Sequence, residues 1–229
     1  MTREIVLDTE TTGLDPAEGH RVVEIGAVEL MNHVPTGRVH HVYINPGRPM
    51  PPEAEAVHGL TDAFLADKPV FAAVAEAFVG FVAEARLVIH NAAFDMRFLN
   101  AEFERLGLTR WPMERAVDTV AIARRKYPGS PANLDALCRR FGVDNSGREK
   151  HGALLDAELL AEVYLHLIGG RQPGFALGLA AAEGPRAAAY VPPPRPRPRR
   201  PLLTAAEAEA HAAFVETLGE GALWRRTGG

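Results

Sequence analysis

The sequence predicts a mixed α/β layer fold: a mixed central sheet flanked by helices, followed by a flexible linker and a short helical tail. Three observations predict it. Apolar, strand-like runs come first, at hairpin spacing. Further short runs then alternate with segments of helical periodicity. Beyond Gly170 the composition turns to proline and arginine.

The elements follow in order. "EIVLD" (4–8) and "RVVEIGAVEL" (21–30) read as strands, the second with Gly26 where another backbone can approach. "HHVYINP" (40–46) is a third strand, stopped by Pro46, and the three give the sheet an antiparallel start. Residues 69–85 form a helix with Val70, Val74, Ala77, Phe78 and Phe81 on one stripe. "RLVIHN" (86–91) is a buried strand, and "FDMRFLNAEFERLG" (94–107) is a helix stopped by Gly107. "RAVDT" (115–119) is one more strand. "NLDALCRRFG" (133–142) and residues 153–170 are helices, the last closed by Gly169 and Gly170. In the tail, Thr204 with Glu207 three residues on reads as a helix start.

These signals divide the chain into a domain over 1–170, a linker over 171–201 and a tail over 202–229. With 229 residues, 47% of them apolar, one core of about 150 to 200 residues is within reach. The single cysteine, Cys138, excludes an internal disulfide framework. Met1 leads straight into a strand-like run, and no segment reaches the roughly 18 apolar residues of a membrane span. A soluble, cytoplasmic protein without membrane contact is expected. The net charge of −4 argues against wrapping nucleic acid by charge alone, but it permits an enzyme that grips one strand end.

The chemistry lies in the carboxylates. Asp8 and Glu10 stand two apart at the end of an apolar strand, so they share one side of it. Such a pair repels, and desolvating it costs several kcal/mol unless a positive group compensates. Asp95 falls at the start of a helix, and Asp156 one turn into the last long helix beside Leu154, Leu155, Leu159 and Leu160. Singly, each has an ordinary role: turn caps for Asp8 and Glu10, a dipole-favoured acid for Asp95, a helical surface acid for Asp156. Together they point to divalent cations, for which carboxylate oxygens are the preferred hard ligands. Two ions about 3.5–4 Å apart serve a phosphoryl displacement. His151, five residues before Asp156, is either an ordinary loop histidine or a base that takes a proton from attacking water.

"LDTETTG", "HNAAFD" and "HGALLDA" resemble the three exonuclease motifs of the DEDDh family of 3′–5′ exonucleases, on a ribonuclease-H-like fold. All five motif positions occur in order within residues 1–170. The resemblance implies that Asp8, Glu10, Asp95 and Asp156 bind two divalent cations, Mg2+ or Mn2+, and that His151 is the general base. "AVHGLT" (56–61) resembles a segment near the family's substrate cleft, which makes His58, Gly59 and Leu60 contacts to the strand end; otherwise His58 is a turn residue before a helix. Thr11, Gly13 and Asn91 sit beside motif acids and serve either the nucleotide or the local turns and caps.

The appendages resemble those of the proofreading epsilon branch of that family, which works within bacterial DNA polymerase III. Gln172, Phe175 and Leu177 resemble a sliding-clamp peptide over 172–177, where the alternative is a plain loop. "PPPRPRPRRP" is an extended tether whose Arg195, Arg197, Arg199 and Arg200 either keep it soluble or brush DNA phosphates. The tail, with Phe214, Leu218 and Trp224, resembles the segment that binds the polymerase alpha subunit. The implied substrate is a single-stranded or frayed DNA 3′ end. A free-standing exonuclease that trims RNA or DNA ends and a clamp–polymerase tethering subunit are the alternatives.

Overall fold

The computed structural model describes residues 2–147, 150–169 and 204–218. The chain divides into two compact units, Met1–Ala176 and Leu177–Gly229.

The first unit is built on a five-stranded sheet. β1 (Arg3–Thr11), β2 (Val22–Met31) and β3 (Val34–Tyr43) run antiparallel in succession, while β4 (Arg86–Ile89) and β5 (Ala116–Asp118) continue parallel to β1. The order is β3-β2-β1-β4-β5, so β1 lies at the centre. Strand alternation then assigns its residues to two layers. Ile5 and Leu7 join Phe78, Phe98 and Phe103 under α3 (Phe71–Val82) and α4 (Ala92–Arg105). Val6, on the other face, joins Leu137, Leu160 and Val163 from α6 (Leu134–Phe141) and α7 (Ala153–Leu167). Each fully buried phenylalanine of the first layer contributes about 1.5–3 kcal/mol relative to exposure. α1 (Pro52–His58) and α2 (Asp62–Leu65) cover Val23, and α5 (Thr119–Lys126) follows β5 directly. Among the described residues, no helix is long and apolar enough to cross a membrane.

Three sequence expectations are corrected. The third strand starts at Val34 instead of residue 40, and its Pro35 is tolerated because β3 is an edge strand. The buried stripe of α3 is Phe71, Ala75, Phe78 and Val82; Val70 is the exposed N-cap and Ala77 is exposed. Nearly every residue of that helix is apolar, so periodicity does not choose between adjacent stripes. His58 closes α1, with Gly59 behind it at φ +77, and so is itself helical. The stops at Gly107 and Gly169 hold, each at positive φ.

In the second unit α8 (Ala205–Thr217) is described, and its capping box is as expected: the Thr204 hydroxyl accepts from Glu207 N–H, and the Glu207 carboxylate accepts from Thr204 N–H. Phe214 and Leu218 are exposed on it. Gln172, Phe175, Leu177, the 195–200 arginines and Trp224 lie outside the described residues.

Candidate active site

The acids come from three segments. Asp8 and Glu10 follow Val6 on the face of β1 that turns towards α7. Asp8 pairs with Gly26 of β2 in the sheet register. Gly26 is required there: a Cβ would lie 2.2 Å from the Ala153 carbonyl carbon and the Leu154 nitrogen. The absent side chain lets the first turn of α7 sit directly on the sheet. Asp156, three residues on, is thereby brought to Glu10.

Donor atoms of Glu10, His151 and Asp156 all lie within 4.8 Å of one another. His151 Nδ1 is 3.4 Å from Asp156 Oδ2, and its ring is half exposed. Its backbone N–H donates to Val57 O at 3.3 Å, which fastens the residue to the end of α1. Asp95 arrives from the first turn of α4 and is buried. Its Oδ1 accepts from the Thr9 N–H at 3.1 Å and from the Thr9 hydroxyl at 2.7 Å. All five residues line one cleft of about 550 Å³, a volume in the range of sites that take a small ligand. Carboxylates gathered this closely fit divalent cations, whose charge removes the mutual repulsion.

The chain matches the Exonuclease family over residues 5–164. It is 56% identical over 176 residues to DNA polymerase III subunit epsilon of Rickettsia felis (strain ATCC VR-1525 / URRWXCal2), spanning 76% of this chain and 77% of that one. The chain belongs to the epsilon-subunit family of exonucleases. The Escherichia coli (strain K12) DNA polymerase III subunit epsilon is 44% identical over 239 residues and spans 98% of both chains. Among solved structures, Exonuclease X in complex with 5′ overhanging duplex DNA superposes with a TM-score of 0.59 at 29% identity, over 73% of this chain and 92% of that one. Divalent-metal dependence is general for this exonuclease family.

The other sequence-derived residues of this epsilon-family chain occupy varied places. Asn91 lines the cleft, in a left-handed conformation that starts α4. Thr11 donates its hydroxyl to Gly13 O at 2.6 Å, and the His20 ring fills the space a Cβ on Gly13 would need, so both shape the turn after β1. His58 is buried and accepts the Leu60 N–H at Nδ1, 3.0 Å away. Burial lowers its pKa, the Thr11 backbone opposes this, and Lys150 and His151 lower it further. Leu60 packs with Val23, Met50 and Leu65. None of these last four lines the cleft. Leu14, Phe94, His90, Asn133 and Asp135 do line it. Phe94 stands within the quoted "HNAAFD", and Leu14 directly follows "LDTETTG".

The Asp95 carboxyl has a raised proton affinity. Burial pushes its pKa up to about 7; the Thr9 and backbone hydrogen bonds oppose the rise, and the nearby Asp118 charge adds to it. In the unfolded chain the group titrates near 3.8. Between those values the folded, metal-free protein holds the extra proton, so its stability falls as pH rises through this window. A cation held by this carboxylate would displace the proton. Calorimetric titration with MnCl2 at pH 6, in two buffers of different ionisation enthalpy, is expected to show proton release that disappears by about pH 8.5. Equal heats in both buffers at pH 6 would contradict the shift.

Proposed function

We propose that this chain is the proofreading 3′–5′ exodeoxyribonuclease of DNA polymerase III, hydrolysing mispaired 3′-terminal nucleotides to 5′-mononucleotides. One observation carries the reading: four acids from three segments, with a histidine, converge on one cleft of a chain from the epsilon family. An acidic cleft repels a phosphodiester unless cations lie between them. Asp8, Glu10, Asp95 and Asp156 would hold two of them, Mg2+ or Mn2+. When bound, such ions stabilise the attacking and leaving oxygens of the displacement.

His151 takes the proton of the attacking water. Asp156 Oδ2, at 3.4 Å, orients its ring, and the half-exposed edge passes the proton on to solvent. Thr9 keeps the Asp95 carboxylate aimed from beneath the site. Discrimination needs no reading of bases, because a frayed end reaches the cleft at lower unpairing cost than a paired one. Thr11, Gly13, His58, Leu60 and Asn91 would support the bound strand end, Asn91 from within the cleft and the others by shaping its border.

The appendages bring the enzyme to its substrate. Residues 1–170 are the exonuclease, 171–201 the linker and 202–229 the tail that binds the alpha subunit through Phe214, Leu218 and Trp224. The exposed Phe214 and Leu218 and the full-length alignment with the Escherichia coli subunit support this. Gln172, Phe175 and Leu177 would engage the sliding clamp. A tether of this kind raises the local concentration of the exonuclease at the primer end. The whole assembly is placed in the cytoplasm. Digestion of a 3′-labelled DNA oligonucleotide tests the activity: 5′-mononucleotides should appear with Mg2+ or Mn2+ and cease with chelator. Products with a 3′-phosphate, or release that chelator does not stop, would overturn it.

A further inference from the structure

The four acids do not account for every carboxylate in the cleft. Asp135, in the first turn of α6, lines it as well. An acid at that position has an ordinary use, favoured by the helix dipole, while Asn133 caps the same helix by accepting the Ala136 N–H at 2.8 Å. Asp135 has a further contact. Its Oδ1 accepts the side-chain amide of Asn145, ten residues on, at 3.1 Å. It stands outside the trio Glu10, His151 and Asp156, whose donor atoms lie within 4.8 Å of one another.

Asn145 belongs to the connection from α6 to α7, and that connection carries His151, which lies outside helix and strand. The start of the connection is fastened to α6 by the Asn145–Asp135 bond and by Val143 N–H on Cys138 O at 3.0 Å. Between these ties Asp144 Oδ1 accepts the Ser146 N–H at 3.0 Å, which turns the chain. The end is held by the His151 N–H on Val57 O and by the Asp156 N–H on Gly152 O. α6 is a firm base for such a tie, because Leu134, Leu137 and Cys138 are buried in the layer that includes Leu160 and Val163 of α7. The segment that presents the general base is thus located from one side by α1 and from the other by a carboxylate inside the cleft.

We propose that Asp135 is a positioning residue for the reaction: its bond to Asn145 sets the course of the chain that presents His151, and with it the place where the imidazole meets the attacking water. The inference rests on the exonuclease reading. A carboxylate suits the task, since a hydrogen bond to a charged acceptor is stronger than one between neutral groups. Asp135 holds no metal ion, touches no reacting atom and acts through His151.

Cleavage of a labelled oligodeoxynucleotide by the full-length protein in saturating Mn2+ tests it. Asp135→Ala and Asn145→Ala are each expected to lower kcat about tenfold with KM little changed, less than the roughly 10²-fold cost of a 1 Å misplacement because the Val57 bond remains. The double variant should be no slower than either single one, as for two halves of one contact. Asp135→Asn should recover most of the rate, since its amide oxygen still accepts from Asn145. In a His151→Ala background Asp135→Ala should have no further effect, because the base it positions is gone. A wild-type rate in Asn145→Ala, or a fall from Asp135→Ala that persists without His151, would overturn the proposal and leave the exonuclease reading standing. A raised Mn2+ requirement in Asp135→Ala alone, the mark of an additional metal-binding acid, would do the same. A wild-type chain that leaves DNA intact, or a His151→Ala variant that cleaves at the wild-type rate, would overturn that reading and the proposal together.

Discussion

Replacing His151 with alanine is expected to slow phosphodiester cleavage by about 10²- to 10⁴-fold, the usual contribution of a positioned general base. The fold should survive. The ring is half exposed and adds little to the core, and the fastening to Val57 runs through the backbone N–H, which alanine retains. What the variant loses is the imidazole whose Nδ1 lies 3.4 Å from Asp156 Oδ2, a ring type suited to general-base work. Single-turnover rates on a labelled oligonucleotide, with thermal unfolding as the control, measure both quantities. A slow variant with an unshifted midpoint is the expected pair. A variant that cleaves at the wild-type rate would remove His151 from the chemistry.

Gly26→Ala is expected to be nearly as damaging to activity, from a position that carries no functional group. The new methyl would fall 2.2 Å from backbone atoms of Ala153 and Leu154, and backbone cannot swing aside as a flexible side chain can. α7 must therefore back away from β2. That movement carries Asp156 off Glu10 and pulls on the segment that presents His151. Overpacking of this kind costs about 1–3 kcal/mol, a fall of several degrees in Tm, and a 1 Å misplacement at the site costs about 10²-fold in rate. Kinetics and calorimetry on the purified variant test both effects. Wild-type activity with a wild-type midpoint would show that α7 does not depend on this contact.

Gly26 also shows what could be read from the chain. A glycine in a strand pattern signals a close backbone approach, and the structure supplies the approaching helix. The pairing of Asp8 with Glu10 on one strand face, and the placing of Asp95 and Asp156 in first helical turns, follow from periods of two and 3.6 residues. Tertiary choices were less visible. The α3 stripe slipped by one residue because apolar side chains surround that helix. β3 began six residues early because an edge strand tolerates the Pro35 that looks like a breaker. α5 carries little periodic signal, being eight residues that end in three cations. The cleft walls, Leu14 and Phe94 above all, become functional only through the space they enclose, and no local pattern encodes that.

The proposed proofreading role, with the acids and His151 serving a polymerase, makes a demand on both substrate and partner. Its most direct test is digestion of a 3′-labelled primer, paired or mispaired at its terminus, in Mg2+, with and without the replicative polymerase. Faster removal of the mispaired nucleotide and stimulation by the polymerase are expected. Equal rates on the two termini without any response to polymerase, or rapid trimming of a short RNA while the DNA stays intact, would contradict it.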